Sequence, residues 1–389
     1  MDPHAEPAAH TDADGPLAGL VVADFSRVLA GPYATMLLGD LGASVVKVES
    51  ARGDETRRWG PPWAGDGTST YYLSVNRNKR SIALDLADES DLADARAIAA
   101  RADVLIENFR SGSLERLGLG YEMVREHNPG IVYCSISGFG STSRLPGYDL
   151  AIQAASGLMS MTGPDADHPS KAGVAIADVV TGLHAGMGIL AALRHRDRTG
   201  EGQRLEINLL SSMLSGLVNA GGAYAEAGFV SGPMGTRHPS LCPYEALPTA
   251  DRPLVVAVGN DAQFAAFCTE LGLGELPADP RYATNAARVA HRDELTELLS
   301  GQLRERGVDE WVAALAPAGV PCAPVNDVAG GVSLAESLGL DPVTEIDGRR
   351  TVSSPFRLSG TPVSYRQPPP DLDESADAVR AWLKGERLP

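Results

Sequence analysis

Between Gly173 and Leu193 the chain reads Gly-Val-Ala-Ile-Ala-Asp-Val-Val-Thr-Gly-Leu-His-Ala-Gly-Met-Gly-Ile-Leu-Ala-Ala-Leu, and few folds can accommodate such a stretch. From Val179 to Leu193 only Thr181 and His184 interrupt small and apolar residues. A helix formed here is apolar on every side and belongs inside a core. His184 then reads as a core histidine rather than a catalyst. Asp178 falls at the helix N-cap, where backbone N–H groups and the positive end of the helix dipole favour an ionised carboxylate. Two readings fit that position: an ordinary cap, or a poorly hydrated carboxylate nucleophile.

What surrounds a buried helix is indicated by the alternation along the chain. Leu20–Phe25 is a short apolar run, Pro32 suits the first position of a helix to about Leu41, and Ser44–Glu49 is the next strand. Strands at Ser81–Leu86, Asp103–Glu107, Gly130–Ser137 and Arg204–Leu209 follow, with helices at Ser90–Arg101, Leu150–Met161 and Leu210–Ala227 between and after them. Repeated βα units predict an α/β fold with a parallel sheet. Glu49 ends the second strand where a dinucleotide-binding protein would hold a ribose. The turn before it, Ala30-Gly31-Pro32, lacks the G-x-G-x-x-G phosphate cradle, and the nicotinamide reading is set aside.

The 389 residues exceed one usual hydrophobic core, so two domains are expected. A large domain from residues 16–228, a small one from 229–327 and a return segment from 328–389 follow from the Gly/Pro/Ser-rich stretch at Gly228–Pro243. Residues 1–15 read as a disordered lead-in without secretory character. No apolar run approaches the ~20 residues of a membrane span. Cys134, Cys242, Cys268 and Cys322 are scattered, form no metal-ligand set, and read as reduced cysteines of a cytoplasmic protein. A net charge of −17 argues against nucleic acid or anionic membrane as partner. Against that background Arg77, Lys79, Arg80, Arg110 and Arg116 stand out beside strand ends, either as a site for a phosphate-bearing ligand or as a solvated basic face.

Seven segments, in order, resemble the family III CoA-transferases (the CaiB/BaiF group): Leu29-Ala-Gly-Pro32, Leu41-Gly-Ala-Ser-Val-Val-Lys-Val-Glu49, Asn78-Lys-Arg-Ser-Ile82, Ile106-Glu-Asn-Phe109, Gly147-Tyr-Asp149, Thr199-Gly-Glu-Gly-Gln203 and Gly319-Val-Pro-Cys-Ala-Pro-Val325. Each is weak alone, and their order and spacing are specific. The resemblance implies a Rossmann-like large domain, a smaller α/β domain and two interlocked chains. It implies coenzyme A and acyl-CoA as substrate, with no permanently bound cofactor and no metal. Asp178 falls on the family's catalytic aspartate. The coenzyme contacts carry over to Arg27, Leu29 and Ala30 in the first loop, to Leu84, Asp85 and Leu86 along the adenine, and to Asn108, Phe109, Arg110 and Arg116 at the pantetheine and phosphates. Gly147, Tyr148 and Asp149 fall beside the thioester. One family arginine aligns with Ser50, which leaves Arg52 for its phosphate role. Simpler roles exist for some of these: Asn108 and Asp149 could cap turns, Arg116 could be a surface pair, and Leu84 and Leu86 could be strand core.

The chemistry implied is transfer of CoA from an acyl-CoA to a free carboxylic acid through an aspartyl-acyl anhydride on Asp178. Val174, Ile176, Val179 and Val180 are expected to keep water from that anhydride. Two alternatives remain, a 2-methylacyl-CoA racemase and a CoA-binding protein without catalysis. The racemases carry a histidine where this chain has Tyr148, and a tyrosine is a poor base near neutrality. Formyl-CoA transferase has a glycine run in its small domain, whereas Gly235-Thr-Arg-His-Pro-Ser240 has one glycine.

Overall fold

The computed structural model describes residues 15–388, so the expected lead-in, apart from Gly15, lies outside it. The described chain divides into two compact units, one of residues 15–158, 172–230 and 341–388, the other of residues 159–171 and 231–340.

In the first unit the apolar runs become β1 (Val21–Asp24), β2 (Ser44–Glu49), β3 (Lys79–Ala83), β4 (Val104–Glu107), β5 (Val132–Ser137) and β6 (Gln203–Asn208). Their spatial order is β3-β2-β1-β4-β5-β6 and every neighbouring pair is parallel. This is the doubly wound order, in which the winding reverses beside β1 and β4 and leaves a crevice at the carboxyl ends of the strands. Its helices are α1 (Ala30–Asp40), α2 (Thr70–Leu73), α3 (Glu89–Arg101), α4 (Tyr121–His127), α5 (Asp149–Ala155), α7 (Ile176–Thr199), α8 (Leu209–Gly216) and α9 (Val218–Ala227), while α6 (Leu158–Met161) begins at its last residue before the excursion and runs into the second unit. Asp88 caps α3 by accepting from the amides of Ser90 and Asp91, and Asn208 caps α8 through Ser211. The helix expected over Leu150–Met161 breaks between α5 and α6, where Gly157 adopts φ +89°.

Both sheet faces are covered, as a parallel sheet requires. Ala34 and Leu38 of α1, Ile152 of α5, Ala185 and Ile189 of α7 and Met213 of α8 pack over Val22, Val104 and Val132. Ala95 and Ile98 of α3, Val124 of α4 and Val379 near the C-terminus pack over Ala23, Val46 and Leu105 on the other face. Each large aliphatic side chain so buried contributes roughly 1.5–3 kcal/mol.

Helix α7 departs from expectation in three ways. It begins at Ile176, so Asp178 is its third residue and Ala175 its N-cap. It continues past Leu193 through the charged residues to Thr199, and Gly200 at φ +78° ends it. Only one side is buried: Ala177, Ala185 and Ile189 face the core, whereas Leu183, Met187 and Leu190 are exposed. By length and composition α7 is apolar enough to span a membrane, although its inner side packs on the sheet.

Three of the five basic residues, Arg77, Lys79 and Arg80, fit neither alternative read from their charge. Arg77 pairs with Asp40 at 2.6 Å and Lys79 with Asp24 at 3.0 Å, all four groups being buried. Arg80 is buried as well. Glu49 is likewise internal, accepting from Arg57, from Ser81 and from the Asp54 amide.

The second unit has an antiparallel sheet of β7 (Tyr244–Leu247), β8 (Leu254–Ala257) and β9 (Cys322–Pro324), with α10 (Asp261–Glu270), α11 (Asn285–Ala290), α12 (Arg292–Leu303), α13 (Val308–Leu315) and α14 (Val328–Ser337). Phe264, Phe267, Leu295, Leu299 and Trp311 fill its core. The chain then rejoins the first unit with a hairpin, β10 (Val343–Ile346) and β11 (Arg349–Val352), and helix α15 (Ala376–Leu383). Arg366 fastens this tail by donating to the carbonyls of Gly39, Gly42 and Ala43, while the Asn78 side chain accepts from the amides of Arg366 and Gln367.

Candidate active site

At the carboxyl end of β1 the chain turns sharply through Ser26-Arg27-Val28. Val28 has φ +69°, a conformation that a β-branched residue adopts only when its surroundings impose it. Several groups hold the turn. The Arg27 amide donates to Asn108 Oδ1 at 3.0 Å, and Asn108 Nδ2 donates back to the Arg27 carbonyl at 2.8 Å. The Val28 amide donates to the Asp54 carboxylate, and Lys47 donates to the Ser26 carbonyl and to Asp54. Beneath it Asp24 accepts from Ser26, Thr35 and Lys79. Burial would raise the Asp24 carboxyl, but the ammonium groups of Lys79 and Lys47 outweigh it and hold the group at about 2.

Two hollows open on either side of this turn. The first, about 690 Å³, is lined by Arg27, Ala30, Asn108, Phe109, Arg110, Arg116, the loop Gly138–Tyr148, and Asp178. The second, about 380 Å³, is lined by Arg52, Leu84, Asp85, Leu86 and again Arg27 and Phe109. The Arg27 guanidinium lies 5.8 Å from the Phe109 ring centre. The Phe109 amide is fixed by Glu107 Oε2 at 2.8 Å. Asp178 and all the coenzyme-contact residues carried over from the resemblance line these hollows except Leu29, the N-cap of α1, and Asp149. The simpler roles hold in part: the Asn108 amide is occupied by the Arg27 backbone, Leu84 belongs to the core, and Arg116 donates to Ser113.

The loop after β5 returns on itself so tightly that a Cβ on Gly147 would lie 2.3 Å from the Cα of Gly138. Only two glycines permit that approach. It delivers Tyr148, exposed, and Asp149, the first residue of α5. Asp149 does the capping expected of Asp178: its Oδ1 accepts from the amide of Ala177 at 2.8 Å and, more weakly, from that of Asp178 at 3.4 Å. Oδ2 accepts from Gln153 Nε2 at 2.6 Å.

Asp178 is left buried, 9% exposed, and accepts no hydrogen bond from another described residue. Burial, followed by the Asp149 charge, raises its carboxyl to about 7, the reverse of the ionised cap read from the sequence. Of the four apolar residues expected around it, Ile176, Val179 and Val180 are half-buried and Val174 is 62% exposed.

Three residues that the sequence did not single out for roles belong here. Gln153 is fully buried beside Asp149, and Arg144 lines the first hollow. Tyr71 of α2 is pushed up to about 12 by burial and then by the charges of Asp178, Asp149 and Asp54, which brings it within electrostatic reach of both carboxylates. Tyr71 adjoins Tyr72 in sequence, in a segment with Trp59 and Trp63. Gln153 carried no local signal at all.

Fold and site together define a doubly wound α/β protein whose paired hollows, with arginines and a buried carboxylate, suit an elongated anionic ligand. The sequence pattern of CoA-transferase family III matches residues 17–376, and the chain belongs to that family; it is a CoA-transferase, moving CoA between an acyl-CoA and a carboxylic acid. It is 40% identical to a succinate–glutarate CoA-transferase of Agrobacterium fabrum over 95% of this chain and 96% of the relative. It is 38% identical to an acetyl-CoA:oxalate CoA-transferase of Acetobacter aceti, covering 94% and 95%. The crystal structure of a CaiB/BaiF family protein from Brucella suis superposes with a TM-score of 0.87 at 41% identity, covering 95% of this chain and all of that one.

Proposed function

We propose that Asp178 is the nucleophile of a CoA-transferase that exchanges CoA between short dicarboxylic acids. The observation that carries this reading is a buried carboxylate, free of hydrogen bonds from its neighbours, opening into the same hollow as Arg27, Asn108, Phe109, Arg110 and Arg116. A carboxylate oxygen of Asp178 attacks the thioester carbonyl, the C–S bond breaks, and CoA departs as thiolate from an aspartyl-acyl anhydride. The thiolate attacks the aspartyl carbonyl, releasing the donor acid and leaving an aspartyl-CoA thioester. The acceptor carboxylate displaces the thiolate to give a second anhydride. Thiolate attack on the acceptor carbonyl then releases Asp178 and the new thioester.

In this reading Arg52 and Leu84-Asp85-Leu86 flank the adenosine end of the coenzyme, Arg110 and Arg116 its phosphates, and Arg27, Leu29, Ala30 and Phe109 its pantetheine, with Gly147, Tyr148 and Asp149 beside the thioester. Dicarboxylates are favoured because the relatives' names specify succinate, glutarate and oxalate. The hollow of Asp178 also holds Arg144, exposed and without an ion pair among the described residues, as a counter-charge for a distal carboxylate. A racemase would need a second base opposite Asp178. Asp149 is committed to Ala177 and Gln153, which leaves Tyr148 as a poor candidate.

We place the enzyme in the cytoplasm on its four free thiols. We also assign it a homodimer, because no residue of α9 or α14 is buried within its chain, and Val218, Tyr224, Phe229, Val328 and Leu338 stay exposed.

Incubation with succinyl-CoA or glutaryl-CoA should give a peptide carrying acyl or CoA on Asp178, identified by mass spectrometry. Asp178→Ala should abolish the adduct and lower turnover about a thousandfold or more, with CoA affinity little changed. Unaltered activity in Asp178→Ala, or α-deuteration of 2-methylacyl-CoA without an acceptor acid, would defeat this reading.

A further inference from the structure

Gln153 lies on the inner side of α5, fully buried, with each end of its amide used. Its Nε2 donates to Asp149 Oδ2 at 2.6 Å and more weakly to the Val174 carbonyl at 3.3 Å. Its Oε1 accepts from the Ala172 amide at 2.9 Å. One side chain thereby joins α5, the approach segment Ala172–Val174, and the carboxylate that caps α7. Asp149 in turn touches the first turn of α7 only through Oδ1. If the amide of Gln153 let go, Asp149 would be free to rotate and the turn that carries Asp178 would lose its register with α5.

We propose that Gln153 is a positioning residue of the transfer reaction: by holding Asp149 against the start of α7 it fixes both the place of the Asp178 carboxylate and the negative charge beside it. This rests on Asp178 being the nucleophile. Titratable and charged groups on several elements neighbour this site. Asp149 and Tyr148 come from α5 and its N-cap, Tyr71 from α2, and His184 from its own helix. Arg27, Glu55, Arg110, Arg116 and Arg144 line the hollow. Of these, Asp149 is the charge that raises the Asp178 carboxyl. Without the Gln153 donor Asp149 can turn away from the start of α7, and the charge that raises the Asp178 carboxyl weakens.

Two substitutions separate positioning from bulk stability. Gln153→Leu removes the donor, and formation of the Asp178 adduct should slow by about tenfold or more while the KM for acyl-CoA changes little. Its rate–pH midpoint should move down by about half a pH unit or more. Gln153→Glu can donate to Asp149 only while protonated, so it should approach wild type at acid pH and acquire a descending limb as pH rises. Should the leucine variant fail to fold, the glutamate variant decides. A wild-type rate–pH profile in Gln153→Glu overturns the proposal. The pH dependence of thermal stability, measured with and without Asp178→Asn, reads the same ionisation in the absence of turnover. If wild type forms no adduct, the nucleophile assignment fails. A stability difference between these backgrounds that Gln153→Glu leaves unchanged overturns the role of Gln153 itself.

Discussion

As the proposed nucleophile Asp178 must attack as an anion, and a carboxyl held protonated to near neutrality would then tie the rate to pH. Because burial and Asp149 raise Asp178 to about 7, adduct formation by the free enzyme should climb as pH passes through 7 and level off above it. Stability should run the other way. An unfolded aspartate titrates near ~4, so between that value and 7 the native state binds more protons than the unfolded chain, and stability falls as pH rises through this window. Asp178→Asn removes the charge, and its melting temperature should exceed that of wild type at pH 8, with the gap closing toward pH 4. A melting temperature equal to wild type at both values would show that the carboxyl is not raised. At this scale the sequence was legible in kind but not in environment. Asp178 stood out by its apolar neighbours, yet the residue that takes the helix amides is Asp149, twenty-nine positions earlier, and no local spacing records that. Arg77 and Lys79 misled for a related reason, since Asp40 and Asp24, which neutralise them, are brought close only by the packing of β3 beside β2 and α1.

Among the elements, the strands were easy to read because parallel strands buried on both faces are plain apolar runs. Helix ends were harder. Pro32 sits at the third position of α1 rather than the first, and α7 runs on through its charged residues. Arginine is a good helix former, and charge alone does not end a helix. The turn after β1 depends on the buried Lys47–Asp54 pair at 3.0 Å. Lys47→Met should leave Asp54 uncompensated and cost about 3–5 kcal/mol, read as a lower urea midpoint. The loop after β5 depends on Gly138 and Gly147. Gly147→Val places a side chain against the Gly138 backbone and should destabilise by about 1–3 kcal/mol. It should also lower the adduct rate, because Tyr148 and Asp149 follow directly.

The molecule as a whole leaves apolar surface uncovered on α9, on α14 and on the outer side of α7. Sedimentation should find a dimer at micromolar concentration, and a charged substitution such as Met187→Glu on α7 should weaken it. A stable monomer of wild type would remove the homodimer from the account. The described chain leaves its first unit after residue 230, beside the Gly/Pro/Ser-rich stretch, whereas nothing in composition sets the short excursion at 159–171 apart from its surroundings. Chain order also sets a timetable. The carbonyls at the end of α1 that Arg366 will satisfy are synthesised more than three hundred residues before it, and the sheet face that Val379 will cover more than two hundred residues before. A ribosome therefore releases most of the six-stranded sheet while α3 and α4 alone cover one face, and completion must wait until α15 has been made. Nascent chains stalled before residue 366 should be protease-sensitive across β3, and those extended past α15 should not.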